Sequence, residues 1–243
     1  MKQQKKIHRV YLEIDFDKVS HSCSSHIAHR IINVLRIKDK EDLIIFNHKR
    51  EQVMASVKLN NREVFIVFKE KLENIILPKI KVHIAVSTIS MKNMDLIVQK
   101  IAELGATEFT PLYTKRSQYK NVGDKITHWR KISIHASEQC SRVDIMKINT
   151  PTSLGDYLTK NTSRNKYLLY QNGTSFTSED FRNRDMTILV GPEGGFEDEE
   201  VELFENYNWK MINISQNILR TETACISALS IISNYESTSR HNI

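Results

Sequence analysis

A glycine-rich loop in the stretch TILVGPEGGFEDEE, residues 187–200, is the first feature that could bind a ligand. The chain has seven glycines, and three of them, Gly191, Gly194 and Gly195, lie in this loop. Glycines concentrated in this way indicate positive φ angles, or a close approach of the backbone to another group. The alternative is a tight strand-to-helix turn that binds nothing.

The acidic residues that follow this loop argue against a phosphate ligand. A helix N-terminus attracts anions, but this one already carries Glu197, Asp198 and Glu199. A phosphate placed there would meet like charges, at a cost of about 1 kcal/mol per unscreened neighbour a few ångströms away. The spacing also matches neither GxGxxG nor a P-loop. We therefore expect a neutral or cationic ligand that is held by backbone groups.

A second polar segment, ISQNILRTETACISAL, spans residues 214–229 and lies between a predicted strand and a predicted helix. Arg220 immediately precedes this helix, Thr221 or Thr223 could cap it, and Glu222 falls in its first turn. Such a polar set at the start of an apolar helix indicates a binding site or, equally, a simple cap beside a surface arginine. Motifs of zinc peptidases, α/β-hydrolases and EF-hands are absent from the sequence, and the histidines show no metal-binding spacing.

The elements that must position these residues follow from the hydrophobic pattern. The first 70 or so residues read as short strands with one helix, SHIAHRIINVLRIK, whose inward face would carry Ile27, Ile31, Val34 and Leu35. Pro78 marks a boundary, after which strands alternate with helices. This alternation predicts a mostly parallel sheet covered on both faces, with ligands bound at the carboxyl ends of its strands.

Charge and cysteine content narrow the class of protein. The chain has 243 residues and a net charge of +6, which modestly favours a polyanionic partner such as RNA. Residues 115–131 hold six Lys or Arg and one acid, and a second cluster consists of Lys2, Lys5, Lys6 and Arg9. Solvated surface loops explain either cluster equally well. Three scattered cysteines indicate a reducing compartment, and no apolar run approaches the roughly 20 residues that span a bilayer.

Several segments in combination resemble the RsmE family, bacterial enzymes that methylate N3 of a uridine in 16S ribosomal RNA. The resemblance is carried by QKIAELG, GPEGGF and LRTETA, together with HRVYL, INVLRIK and WRKISIHASEQCSR. These segments occur in the family's order and span nearly the whole chain.

The resemblance implies a fold and partners. Residues 1–72 would form a PUA-like, RNA-binding β-barrel, and residues 73–243 a SPOUT methyltransferase domain. The SPOUT domain is an α/β domain whose parallel sheet ends in a deep trefoil knot, an exception to the rule against knots. S-adenosylmethionine (SAM) would be the cofactor and 16S rRNA or the small ribosomal subunit the partner. The protein would be a cytoplasmic homodimer without a metal or a membrane anchor.

The resemblance assigns the cofactor residues, and the chemistry of the reaction, together with the charge pattern, provides candidates for catalysis and for RNA contacts. Arg220 would stabilise the uracil anion, and Glu193 or Glu222 would accept the proton, because N3 is a poor nucleophile until its proton is lost. The residues implied for the SAM pocket are Leu168, Leu169, Gly191, Glu193, Gly194, Ile214, Ser215, Ile218, Leu219 and Arg220. The residues implied for RNA contacts are Arg9, Lys115, Arg116, Lys120, Arg130 and Arg142.

The sequence departs from the family pattern at several glycines. Ser215 and Ser141 stand where the family has glycine, and the turns in LRIKDKEDL and FNHKRE lack their usual glycines. These changes predict altered backbone geometry at the cofactor and lower stability. They motivate one alternative, a non-catalytic RNA-binding or ribosome-assembly protein on the same scaffold. Another alternative is an enzyme that methylates a different RNA base.

Overall fold

The computed structural model describes residues 7–60, 63–73, 75, 77–182 and 184–241. Its chain divides into two compact units. The first unit extends to Leu77 and also contains Ser137–Asp144, while the second contains Pro78–Ala136 and Ile145–Ile243.

The first unit is built on a five-stranded sheet with the order β1-β3-β4-β5-β2. Its strands are β1 (His8–Tyr11), β2 (Ser20–Ser22), β3 (Asp42–Phe46), β4 (Gln52–Asn60) and β5 (Glu63–Lys71). β1 pairs with β3 in parallel, and the other pairs are antiparallel. Alternate residues along β4, such as Val53, Ala55 and Val57, enter the core, as period-2 patterning requires.

The helix of the first unit ends differently from the prediction. Helix α1 (Ser25–His29) continues into a π-helical turn, Arg30–Val34, in which the Leu35 amide donates to the Arg30 carbonyl. Because this turn is wider than an α-helical turn, its side chains do not follow α-helical spacing. Ile31 remains buried, but Val34 is 63% exposed, so the prediction of an inward Val34 is wrong.

Turns of the first unit hold non-glycine residues in the left-handed region. Arg36, Lys40, Arg50 and Ser141 have φ angles of 56°, 62°, 62° and 66°. All four side chains are exposed. Glycine adopts this conformation readily, whereas an L-residue pays about 1–2 kcal/mol for it. The positions lie in the segments where the sequence lacks expected glycines, so the turns carry backbone strain.

The second unit contains a seven-stranded sheet in which every strand pair is parallel. Its strands are β6 (Lys81–Ser87), β7 (Glu108–Tyr113), β8 (Lys147–Ile148), β9 (Thr152–Ser153), β10 (Lys166–Thr174), β11 (Asp185–Val190) and β12 (Lys210–Ile212). The order is β12-β10-β11-β6-β7-β8, and β9 also pairs with β7. The predicted α/β fold with a parallel sheet is confirmed.

Helices cover both faces of this sheet. They are α2 (Met91–Glu103), α3 (Ile126–Cys140), α4 (Leu154–Lys160), α5 (Asp198–Asn206) and α6 (Thr221–His241). Ile188 of β11 packs in the cluster that contains α2 and α6, whereas the next residue, Leu189, packs in the cluster that contains α4 and α5. Helix α4 and the short strands β2, β8 and β9 were not predicted from the sequence. No helix within the described residues is long and apolar enough to cross a membrane.

Candidate functional site

A cavity of about 150 Å³ opens beside the middle of β10, where β12 ends. It is lined by Leu169, Tyr170, Gln171, Ile212, Asn213, Ile214, Ser215, Asn217, Ile218, Leu219 and Ala224. A neighbouring cavity of about 420 Å³ shares Asn213, Ile214 and Ser215 with it. Small-molecule sites typically occupy roughly 300–1,000 Å³, so the two together have room for a ligand of cofactor size.

Half of the residues proposed from the sequence for the cofactor line the smaller cavity. These are Leu169, Ile214, Ser215, Ile218 and Leu219. The side chain of Ile218 is 80% exposed, although it lines this cavity. Leu168, in contrast, points into the core on the α4–α5 face.

The glycine-rich loop, residues 191–195, follows β11 and shows both properties that glycine permits. Gly195 has a φ of 71°, and its amide donates to the Pro192 carbonyl at 3.0 Å, closing a turn. A Cβ added at Gly191 would lie 2.6 Å from the ring of Phe196, so a larger residue here would have to displace that ring. Gly194 is exposed and has an ordinary φ.

One hydrogen bond joins the two motif segments. The buried Thr221 hydroxyl donates to the Gly191 carbonyl at 2.9 Å. Because α6 begins at Thr221 itself, this hydroxyl anchors the glycine-rich loop instead of capping the helix. Ala224, in the same first turn of α6, lines the cavity. The glycine-rich loop, the start of α6 and the cavity therefore belong to one site.

The three candidate catalytic side chains lie around this site but do not line the cavity. Arg220 and Glu193 are exposed, and the Glu193 carboxylate lies 3.5 Å from the Gln118 amide. Glu222 is partly buried, and its Oε2 atom is buried without a hydrogen-bond partner among the described residues. Burial, and then the carboxylate of Glu222, raises the pKa of the Cys225 thiol. An unpaired buried carboxylate oxygen is costly and remains available as an acceptor.

Ser215 fits its loop without strain. Its φ is not among the positive values of the described residues. The Ser215 amide donates to Asn213 Oδ1 at 2.8 Å, and its hydroxyl accepts from the Asn217 amide at 3.0 Å. Asn213 in turn donates to the Gln171 carbonyl at 2.6 Å. The serine therefore takes part in closing the loop that forms one wall of the cavity.

Gly173 of β10 is a site residue that the sequence reasoning missed. A Cβ at this position would lie 2.6 Å from the backbone of Met211 and Ile212, where β10 shifts register against β12. One weak signal was present, because Gly173 is one of only seven glycines and directly follows the predicted strand KYLLYQN. Tyr170, Gln171 and Asn217 were also missed and carry no comparable signal.

Gly173→Ala is expected to destabilise the protein by about 1–3 kcal/mol, because backbone atoms cannot move aside as a side chain can. Gly123→Ala is the matched control, since its added Cβ meets nothing within 4 Å. The midpoint of urea denaturation measures both variants. Equal midpoints would show that the close approach of β10 to β12 does not require glycine.

Two of the arginines proposed for RNA are engaged inside the first unit. Arg142 donates from Nε and Nη2 to the two carboxylate oxygens of Asp144, at 3.1 and 3.0 Å, and its side chain is 11% exposed. Arg9 donates to Gln52 and to the Arg142 carbonyl, both at 3.2 Å, and packs over the Phe46 ring. The RNA surface proposed below therefore omits both. Lys2, Lys5 and Lys6 of the N-terminal cluster lie outside the described residues.

The other four cations lie in the second unit. Lys115 and Arg116 form ion pairs with Glu199 and Glu197 at the start of α5. Lys120 and Arg130 are exposed. Among the described residues, no group of three or more His, Cys, Asp or Glu side chains could hold a metal ion.

Comparison with known proteins settles the family. Residues 77–233 match the model of the RNA methyltransferase domain, and this range contains the whole cavity. The chain is 33% identical to ribosomal RNA small subunit methyltransferase E of Rickettsia conorii, over 85% of this chain and 86% of that relative. The chain belongs to the ribosomal RNA small subunit methyltransferase E family.

Other comparisons extend over almost the entire chain. The methyltransferase E of Buchnera aphidicola is 30% identical over 95% of this chain and 94% of its own. The Legionella pneumophila protein Lpg2936, solved in complex with the bound cofactor SAM, superposes with a TM-score of 0.87 and 30% identity. That structure covers 95% of this chain and 98% of its own. Membership of the methyltransferase E family therefore applies to both units.

Proposed function

We propose that this protein transfers a methyl group from SAM to N3 of a uridine in the 16S rRNA of the small ribosomal subunit. The observation that carries the proposal is the hydrogen bond between Thr221 and Gly191. It joins the glycine-rich loop and the start of α6 beside a cavity at the carboxyl end of β12, in a chain of the methyltransferase E family.

The cavity suits a cofactor without phosphate. Its described lining combines aliphatic side chains with amide and hydroxyl groups, and includes no Lys or Arg. When bound, SAM supplies a methyl group activated on a cationic sulfonium. The acidic start of α5 and the unpaired Glu222 oxygen do not repel such a ligand. The proposed pocket comprises Leu169, Gly191, Glu193, Gly194, Ile214, Ser215, Ile218, Leu219 and Arg220. It omits Leu168, because that side chain packs in the core on the α4–α5 face.

The chain's own residues then prepare the uracil. Arg220 is exposed at the start of α6, where its guanidinium can stabilise the uracil anion after N3 loses its proton. Glu193 and Glu222 are the candidates for the proton acceptor, and the unpaired oxygen of Glu222 favours the latter. Holding the two reactants in line contributes up to about 7–11 kcal/mol of the barrier reduction in favourable cases.

The wider architecture follows the same proposal. Residues 1–72 form a PUA-like RNA-binding barrel, and residues 73–243 a SPOUT domain with a C-terminal trefoil knot. The adjacency of β12, β10 and β11, and the return of α6 onto Gly191, support the knot. The proposed assembly is a homodimer, and three free cysteines support a cytoplasmic location. The chemistry needs no metal.

The proposed RNA surface contains Lys120 and Arg130. Lys120→Ala is expected to weaken rRNA binding and to reduce the slope of log affinity against log salt by about 0.7–0.9, because one phosphate contact is lost. Fluorescence anisotropy with a labelled rRNA fragment, repeated over a series of KCl concentrations, measures this slope. Lys160→Ala, which removes an exposed lysine of α4, is the control and should keep the wild-type slope. An unchanged slope in the Lys120 variant would remove this residue from the surface.

Calorimetric titration with SAM tests the enzymatic proposal against the non-catalytic alternative. We expect saturable binding at one site per chain. Absence of binding would favour an RNA-binding or ribosome-assembly protein. That alternative drew its support from the missing glycines, and Ser215 is accommodated by its own hydrogen bonds.

A further inference from the structure

Two cations after β7 reach the acidic start of α5. The ammonium group of Lys115 pairs with Glu199, and the backbone amide of Lys115 donates to Glu200 Oε1 at 2.9 Å. Arg116 Nε donates to Glu197 Oε1 at 2.8 Å. The hydrogen bond that Lys115 donates to Glu199 raises the pKa of Lys115, and the one that Arg116 donates to Glu197 lowers the pKa of Glu197. Each partner therefore stabilises the charge of the other.

Arg116 also contacts the glycine-rich loop directly. Its Nη1 donates to the Gly194 carbonyl at 2.6 Å. A Cβ added at Gly194 would lie 3.3 Å from Arg116 Cδ, so the side chain lies against the loop backbone. One guanidinium thus holds both the glycine-rich loop and the first residue before α5, which suits its rigid fork of donors.

The segment that carries Arg116 is itself held in place. The backbone amide of Gln118 donates to the Thr88 carbonyl at 3.0 Å, and the Thr88 hydroxyl donates to the Tyr119 carbonyl. The Thr114 amide donates to the Ser117 hydroxyl at 2.9 Å. Arg116 therefore projects from a segment anchored at the carboxyl end of β6, and the loop it holds is tethered to a fixed point.

We propose that Arg116 is a positioning residue for the glycine-rich loop at the cofactor site, and that neither Arg116 nor Lys115 binds RNA phosphate. This inference rests on the proposed SAM site. Their positive charges are already engaged, and a phosphate brought to them would also approach Glu197, Asp198 and Glu199. Repulsion from these carboxylates opposes RNA binding at this point.

The test is Arg116→Ala, measured by SAM titration and by the salt dependence of RNA binding. SAM affinity should fall roughly 3- to 10-fold, because an exposed ion pair and one charge-assisted hydrogen bond to the loop are lost. The RNA salt slope should stay at the wild-type value. The maximal rate at saturating SAM should change little, so that the effect appears in the KM for SAM.

The partner residue provides a second arm of the experiment. Arg116→Ala combined with Glu197→Ala should weaken SAM binding less than the sum of the two single changes, because both remove the same interaction. The charge exchange Arg116→Glu with Glu197→Arg should recover part of the affinity. Lys160→Ala, which breaks the exposed pair with Asp156 on α4, is the matched control and should bind SAM like the wild type.

Three results would overturn the inference in different ways. Wild-type SAM affinity in the Arg116 variant would remove its positioning role. A salt slope reduced by about 0.7–0.9 in that variant would identify Arg116 as a phosphate contact instead. Failure of the wild-type protein to bind SAM would overturn the proposed function itself, and the positioning role with it.

Discussion

Arg220→Ala will lower the rate of methyl transfer by about 100- to 1,000-fold, the usual effect of removing one group that stabilises a developing anion. The side chain is exposed at the start of α6, and the contact of that segment with the glycine-rich loop is made by Thr221 instead. The free energy of unfolding should therefore stay at the wild-type value. The loss of rate would then report on transition-state stabilisation and not on folding.

Single-turnover transfer of labelled methyl groups from SAM to small ribosomal subunits measures this rate. Arg164→Ala is the control, because Arg164 is also exposed but lines a different cavity, beside the first residues of β10. We expect wild-type transfer from the control. Wild-type transfer by the Arg220 variant would contradict the role given to this residue.

Restoring glycine at the four strained turns will stabilise the protein by about 2–4 kcal/mol in total. The variant combines Arg36→Gly, Lys40→Gly, Arg50→Gly and Ser141→Gly. Each change relieves about 1–2 kcal/mol of left-handed strain, and part of that gain is offset by the flexibility of glycine in the unfolded chain. The net gain is about 0.5–1 kcal/mol per site. Removing the four side chains costs little stability, because they are exposed.

Urea denaturation of the single and combined variants measures these gains. Asn208→Gly is the control in the second unit, where Asn208 has a φ of 56°. Asparagine tolerates this conformation better than arginine, lysine or serine, so the control should gain less. A combined variant no more stable than the wild type would show that the turns are not strained.

The hydrophobic pattern predicted the second unit well because its signals are local. Met94, Ile97, Val98 and Ile101 recur at helical spacing and are all buried in α2. The exposed Val34 could not be foreseen, because it ends a π-helical turn, in which side chains do not follow α-helical spacing. Gly173 was missed because its role depends on the close approach of β10 to β12, which sequence spacing does not reveal.

The candidate site was predictable in its motifs but not in its charges. The three glycines and Thr221 came from the sequence, and the structure joins Gly191 to Thr221. Lysines and arginines, in contrast, look alike in a sequence whether they face solvent or a carboxylate. The acids after the glycine-rich loop drew attention because they exclude phosphate. Their partners, Lys115 and Arg116, lie about 80 residues earlier, where no local pattern indicates them.

The central claim is the methylation of N3 of a uridine in small-subunit rRNA. The most direct test is mass spectrometry of 16S rRNA from cells that lack this gene, before and after incubation of their small subunits with purified protein and SAM. We predict that one 3-methyluridine is missing from the rRNA of these cells and is restored at the same position by the protein. Finding that 3-methyluridine in cells that lack the gene, or finding that the purified protein methylates a different base, would contradict this assignment.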